Sequence, residues 1–245
     1  MAPIYADHPF SLLQTPVFLA KSKDVNAQVR TANKCTTQVV HQHLQTAQTD
    51  IFDMMASEMV NVHNMLIRGL NSIYLQAPHI KPADDKSFCK YVLGWYVLLH
   101  SHHRGEEATF FPTVERMTGI KGLMDTNVEQ HRVFHDGVDE LKSYAEAVIA
   151  SKEKYDGNKI VEVIDSFGAA LTQHLADEIP TILSLRQYGE KLAGLPKEFE
   201  KEAETAMVLS PSSSNCALHH VLIRDTERNR PGRHGLGLCQ PGRAL

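Results

Sequence analysis

The sequence has few cysteines, and no two of them stand at the spacing of a metal-binding or redox motif. Its four cysteines are Cys35, Cys89, Cys216 and Cys239, and none forms a C-x-x-C pair with another. This excludes a zinc-finger and a thioredoxin-type motif. A chain of 245 residues can bury a core large enough to fold without disulfide bridges. We therefore expect reduced thiols, most of them buried.

An excess of basic residues and a long apolar run are also missing. The formal net charge is −4, whereas a general nucleic-acid binder presents a basic surface to the phosphates. The strongest apolar run, residues 91–99, is far shorter than a membrane span. The N-terminal stretch has no basic start, and two prolines interrupt its apolar part, unlike a secretory signal. These observations predict a cytoplasmic protein with no nucleic-acid or membrane partner.

The middle of the chain has a helical periodicity. Over residues 46–190, apolar side chains such as Ile51, Met55 and Met59 recur three and four positions apart in four long segments. The connections between these segments are short, so consecutive helices are expected to be antiparallel. The pattern predicts an all-α fold, an antiparallel up-down four-helix bundle.

Prolines and capping residues predict where these helices begin and end. The first helix is expected to end at 77–78, the second to open after 81–84, the third to run from about 125 to 150, and the fourth to start after 155–158. Pro112 is expected to end or kink the second helix. Pro180 is expected to interrupt the fourth, because its nitrogen cannot donate to the carbonyl of Ala176.

The flanking segments differ in composition from the bundle. Residues 1–45 form an N-terminal extension that we expect to be partly helical, within 25–43. Residues 191–209 are expected to form a short charged helix. The stretch 210–245 is rich in Ser, Gly, Pro and Arg, which predicts a disordered tail.

Histidine is the residue type in excess, with 14 in the chain. On three of the predicted helices, a histidine is followed four residues later by a second histidine or a glutamate, and the first helix adds a single histidine. The positions are His63, the pair His102 and Glu106, the pair His131 and His135, and the pair His174 and Glu178. Residues four apart lie one turn apart on the same side of a helix, so both members of a pair can reach one ion. The spacing predicts a metal site inside the bundle.

Five imidazoles and two carboxylates are too many ligands for one tetrahedral zinc ion. They suffice for two ions that share carboxylate bridges, and mixed nitrogen and oxygen ligation suits iron or manganese better than calcium or magnesium. Ferritin-type di-iron bundles use Glu-x-x-His, which the predicted helices lack. Two alternatives remain open at this point. His103 and Glu107, also four residues apart, could replace His102 and Glu106, or the bundle could hold no metal.

The order of these positions resembles that of the hemerythrin-like, HHE cation-binding family, and in particular its fungal branch. The motifs follow one another on four successive helices, within the segments HNMLIRGLN, HSHHRGEEATFFP, EQHRVFH and HLADEIP. The likeness covers roughly residues 46–189. It implies two non-haem irons, one held by His131, His135 and His174 and the other by His63 and His102, with Glu106 and Glu178 as bridges.

By the same resemblance, the centre is expected to bind O₂ or a related small ligand, or to sense iron or oxygen. The last helix has His-x-x-x-Glu where the oxygen carriers have an aspartate five residues after the histidine. This departure weighs against oxygen carriage more than against metal binding. An alternative is a di-iron enzyme that reduces peroxide or another small oxidant, and manganese in place of iron also remains open. The sequence supplies no catalytic acid or base beyond the ligands, so a binding or sensing protein is preferred.

Overall fold

The computed structural model describes residues 7–16 and 50–197. This part of the chain is helical and contains no β-strand. Its α-helices are α1 (Ile51–Gln76), α2 (Asp85–Gly105), α3 (Phe111–Thr118), α4 (Asp125–Ile149) and α5 (Gly157–Ser184). A π-helical turn, Glu106–Phe110, joins α2 to α3, and 3-10 turns follow α1 at Ala77–His79 and α5 at Leu185–Leu192.

Four of these helices form the bundle that the periodicity predicts. Helices α1 and α4 each pack against both α2 and α5, and α3 continues the chain beyond the π turn. The prediction of an all-α helical bundle is therefore confirmed. No helix in the described ranges is both long and apolar enough to span a membrane.

The helix ends follow from local capping. The side chain of Asp50 accepts a hydrogen bond of 2.8 Å from the backbone N–H of Phe52, and Asp156 accepts one of 2.9 Å from Asn158. Each carboxylate thus satisfies a backbone donor that the first turn of a helix leaves without a partner.

The two prolines interrupt the helices less than expected. Helix α5 runs through Pro180 to Ser184, and the proline is exposed, so water can reach the carbonyl that it frees. At Pro112 the backbone changes its pattern before the proline. In the π turn the N–H of Phe111 donates to the carbonyl of Glu106, and Pro112 then stands in the first turn of α3. A missing N–H costs no helical hydrogen bond at that position.

The core consists of two apolar clusters with a layer of polar side chains between them. The upper cluster, as we call it, lies towards the 3-10 turn after α1, and the lower cluster lies towards α3. The upper cluster includes Trp95, Leu99, Phe134, Phe167 and Leu171. The lower cluster includes Phe52, Met59, Phe110, Val114 and Ile182. Along α1, α4 and α5, and from α2 through the π turn into α3, the chain passes from one cluster to the other through the polar layer.

The upper cluster is centred on Trp95, the single tryptophan of the chain. Its side chain is fully buried, and its Nε1–H donates a 2.9 Å hydrogen bond to the backbone carbonyl of Leu66 in α1. The ring can lie this close to the α1 backbone because position 69 is glycine. A Cβ atom there would stand 2.6 Å from Trp95 Cδ1.

The N-terminal segment 7–16 crosses the outside of α1. The side-chain amides of Asn64 and Asn71 each exchange two hydrogen bonds with its backbone, at Leu13 and Phe10 respectively, with lengths between 2.7 and 2.9 Å. We call this segment the strap. The predicted helix within 25–43, the predicted tail 210–245 and most of the charged helix within 191–209 lie outside the described residues.

We expect the substitution Gly69→Ala to destabilise the protein although alanine is the better helix former. Alanine gains about 1 kcal/mol of helix propensity, but its methyl group overlaps the Trp95 ring, and overpacking of this kind costs about 1–3 kcal/mol. The measurement is urea unfolding of the full chain. Gly194→Ala is the control, since its Cβ would meet only Met117 Cε at 3.6 Å. An increase in stability for Gly69→Ala would contradict the close contact.

Candidate metal centre

The polar layer contains two groups of side chains whose donor atoms converge. Within each group the donor atoms lie within 4.8 Å of one another, and Glu106 belongs to both groups. The first group consists of His63, His102, Glu106 and Glu178, and the second consists of His103, Glu106, His131 and His174. We call them the two-His group and the three-His group. The helices α1, α2, α4 and α5 all contribute, and the π turn supplies the shared carboxylate.

The two-His group is enclosed by the bundle. His63 Nε2 lies 3.1 Å from His102 Nε2 and 3.3 Å from Glu178 Oε2. On the other side, His102 Nε2 lies 3.0 Å from Glu106 Oε1. The side chains of His63 and Glu178 have no solvent exposure, and that of His102 is 12% exposed.

The three-His group lies on the opposite side of Glu106. His131 Nε2 stands 3.5 Å from Glu106 Oε2, so the two oxygens of this carboxylate face different groups. His131 Nε2 is also 3.0 Å from His174 Nε2. His103 completes the group, and its ring centroid lies 4.2 Å from that of His131. The Nε2 atom of His103 is buried and makes no hydrogen bond with the described residues.

The remote Nδ1 nitrogens determine which tautomer each imidazole adopts. His63 Nδ1 lies 2.8 Å from the carbonyl of Leu175, which can only accept, so Nδ1 carries the proton. His131 Nδ1 donates to Glu107 Oε1 at 2.7 Å. His174 Nδ1 lies 3.1 Å from Gln130 Oε1.

A second hydrogen bond supports the orientation of that amide. Gln130 Nε2 donates to Asp177 Oδ2 at 3.1 Å, which turns Gln130 Oε1 towards His174. The Nε2 atoms of His131 and His174 therefore both present lone pairs, 3.0 Å apart. Two lone pairs at this distance repel each other, and a cation held by both removes the repulsion. The donor set accordingly fits a metal ion.

Burial keeps several of these imidazoles neutral. Desolvation, followed by the neighbouring histidines, lowers the pKa of His102 and His103 well below the usual value. The same causes lower the pKa of His174 to about 2. A neutral imidazole is the form that binds a metal, so the ligands need no deprotonation near neutral pH.

The structure brings together six of the seven residues that the sequence singles out and places the seventh elsewhere. His63, His102, Glu106, His131, His174 and Glu178 all belong to the two groups, whereas His135 does not. The His135 side chain is 59% exposed, and its Nδ1 lies 3.6 Å from Asp139 Oδ2. His103 stands in the three-His group, so the total of five imidazoles and two carboxylates is unchanged.

Helix geometry explains why His135 and His103 differ from the expectation. Each residue turns an α-helix by about 100°, so His135 lies about 40° further round α4 than His131. His131 already stands at one edge of the face buried through Phe134 and Val138, and His135 lies beyond that edge. The angular position of His135 relative to the apolar residues of α4, rather than its spacing from His131, would have indicated that it lies outside the buried face.

On α2 the same helix geometry explains why both His102 and His103 belong to the polar layer. The buried stripe through Trp95 and Leu99 leads to Glu106. At about 100° per residue, His102 and His103 lie on either side of this stripe, about 50° from its centre. The two histidines can therefore reach two different groups across the same carboxylate. Of the alternative pair, His103 joins the three-His group, whereas Glu107 belongs to neither group and accepts the hydrogen bond from His131.

Comparisons with known proteins also point to cation binding. The model of a family described as the Hemerythrin HHE cation binding domain matches residues 54–184. The chain is also 38% identical over 135 residues to the dimeric xanthone biosynthesis cluster protein R11 of Cryptosporiopsis sp. (strain 8999). That match covers 55% of this chain and 51% of the relative, so the chain spans about half the length of the relative. No solved structure matches the chain.

We expect His103→Gln to weaken metal binding and His135→Gln to leave it unchanged. Loss of one nitrogen donor should lower the affinity for iron at least about tenfold. The measurement is metal content by mass spectrometry after dialysis of both variants against the same competing chelator. Loss of metal only in His135→Gln would contradict this expectation. It would show that His135, as the four-residue spacing predicts, is the ligand in place of His103.

The metal-free protein should lose stability as the pH falls below about 6.5. The folded-state pKa of His102, His103 and His174 lies below the value of an unfolded chain, so the unfolded state binds more protons in acid. Each contributes up to about 1.4 kcal/mol per pH unit to the fall, and nothing above pH 7.5 or so. Urea unfolding after chelator treatment measures the slope.

The same pair of variants provides the control for this pH dependence. In His103→Gln, the number of protons that the protein takes up when it unfolds in acid should fall by about one. His135→Gln, at an exposed position, should leave the uptake as it is. If the free energy of unfolding of the metal-free parent protein did not fall with pH, the burial of neutral imidazoles would be contradicted.

Proposed function

Because this chain belongs to the Hemerythrin HHE cation-binding domain family, we propose that it is a non-haem di-iron protein that binds O₂ or a related small ligand, or senses iron or oxygen. The observation that carries the proposal is the sharing of Glu106 between the two-His and the three-His group. A carboxylate whose two oxygens face different imidazole groups is the ligand that a pair of ions requires. A single ion would leave half of the donors unused.

The proposed assignment gives each side chain one role. His63 and His102 hold one iron, and His103, His131 and His174 hold the other. Glu106 bridges the pair, and Glu178 is the second carboxylate. When bound, two irons supply a redox-active centre that can bind a small oxidant and transfer electrons to it. Manganese is the alternative metal, because it also accepts mixed nitrogen and oxygen ligands.

The surrounding residues hold the imidazoles in position. The hydrogen bonds that Nδ1 makes fix the ring orientation, and an acceptor with negative charge raises the basicity of the ligand. Glu107 acts in this way on His131, whereas the acceptor of His174 is the neutral amide of Gln130, which is itself bonded to Asp177. His63 has a neutral backbone carbonyl as its acceptor. The chain therefore supports the three-His group with more negative charge than the two-His group.

Donor counting and burial support a small ligand at the two-His group. Each group offers four protein donors, fewer than the six of an octahedral ion, so positions remain for non-protein ligands. The two-His group lies between the two apolar clusters, with His63 and Glu178 fully buried. Apolar surroundings of this kind limit the access of water and suit an uncharged small ligand such as O₂.

A second candidate function is an enzyme that reduces peroxide or another small oxidant. The observation that favours it is a cavity beside the three-His group, with His103 and His131 in its wall. The name of the relative places that protein in a biosynthesis cluster, and a similar role for this chain would require chemical turnover. The carrier or sensor remains the first proposal, because the described residues place no acid or base in the centre beyond the ligands and their partners.

The deciding experiment follows the centre through one redox cycle. The purified chain is analysed for iron, reduced without oxygen, and exposed first to air and then to peroxide while absorption spectra are recorded. A stable band that reverses when oxygen is removed supports a carrier or sensor. Rapid oxidation with many turnovers of peroxide supports the enzyme. Iron well below two atoms per chain, unaltered by His102→Ala, would refute the di-iron proposal.

A further inference from the structure

A cavity of about 410 Å³ opens between α2 and α4, beside the three-His group. Its volume lies within the range of sites that bind small organic molecules. Its lining comes from α2, the π turn and α4 and includes Leu99, His103, Arg104, His131 and Phe134. A molecule the size of peroxide would leave most of this space unfilled.

The inner wall of the cavity is apolar and partly aromatic. Leu99, Phe134 and Val138 are buried members of the upper cluster that reach the cavity with one side. The ring of Phe134 stands 5.2 Å from that of His103, measured between centroids. Tyr96, stacked on His100 with centroids 5.6 Å apart, adds a second aromatic surface. A flat, apolar ring system is complementary to walls of this kind.

The charged side chains that line the cavity differ in whether they already have a partner within the protein. Asp139 accepts a 3.0 Å hydrogen bond from the Tyr96 hydroxyl, and Glu107 accepts the 2.7 Å bond from His131. Both carboxylates therefore already serve the protein itself. Arg104 is exposed and, within the described ranges, forms no ion pair or hydrogen bond. A guanidinium binds a carboxylate through two parallel hydrogen bonds, and it is the group here that is available to an anion.

We infer that this cavity binds a small aromatic carboxylate of one or two rings. The ring system lies against Phe134 and Leu99, and the carboxylate pairs with Arg104. In this position the ring borders His103 and His131. Binding itself requires no metal ion, whereas a role of the bound acid as substrate or regulator of the centre rests on the proposed function. The cavity, unlike the two-His group, is then a site for an organic ligand.

The test measures binding of 2-naphthoate and its neutral analogue 2-naphthamide to the full chain. Ligand-observed NMR and calorimetry are carried out on the protein as purified and after chelator treatment, with metal content determined in the same samples. We expect 2-naphthoate to bind both forms. Arg104→Gln should weaken 2-naphthoate at least about tenfold and leave 2-naphthamide unaffected, since it removes the charge alone.

Two further variants test the position of the ligand. Arg132→Gln is the matched control, because Arg132 is exposed, pairs with Glu129 at 2.8 Å and does not line the cavity. It should bind 2-naphthoate like the parent. Ala108→Phe places a ring into the cavity from an exposed position and should abolish binding of both probes. Neither variant removes a proposed metal ligand, so metal content should be that of the parent.

The outcomes separate this inference from the proposed function. Absence of 2-naphthoate binding in a protein with two irons per chain overturns the inference alone. Equal binding by Arg104→Gln, or by Ala108→Phe, also overturns it, since the acid would then bind elsewhere. Binding with the expected variant pattern in a protein that takes up no metal supports the inference and refutes the di-iron proposal.

Discussion

The whole bundle depends on burying one layer of imidazoles and carboxylates between two apolar clusters. Ionisable groups in such a place are strongly destabilising unless they are neutral, hydrogen-bonded or bound to a metal. The Nδ1 atoms of the histidines satisfy this condition by hydrogen bonds, to acceptors on Leu175, Glu107 and Gln130. The inner nitrogens and the carboxylates Glu106 and Glu178 have mainly one another as neighbours. Metal binding by these donors would complete the layer.

The two groups around Glu106 have different surroundings, which bears on how the centre would work. The two-His group is enclosed, and the acceptor behind His63 is a neutral carbonyl. In the three-His group, His131 donates to the carboxylate of Glu107, and the group borders an open cavity. A small ligand and an organic acid would thus approach from different sides. The shared carboxylate is the element through which either could influence the other.

The helices and most of the site could be predicted from the sequence, because both follow periodic rules. Apolar spacing and capping residues such as Asp50 and Asp156 determine the helices locally. The exchange of His135 for His103 was not predicted. Spacing tells which residues share a side of a helix, whereas the phase against the buried stripe tells whether that side faces inwards. The π turn before Pro112 and the strap depend on contacts between distant segments, which no local pattern encodes.

The strap has a practical consequence for anyone who prepares this protein in shortened form. The family match covers 54–184, yet several supporting contacts lie outside that range. Phe10 packs where a Cβ at Gly168 would otherwise stand, and Arg186 joins Asp50 and Asp53 at 2.6 and 2.8 Å. A fragment cut at the limits of the match would expose the surface of α1 beside His63 and lose the cap of its first turn. The unit to clone is therefore longer than the domain by which it is identified.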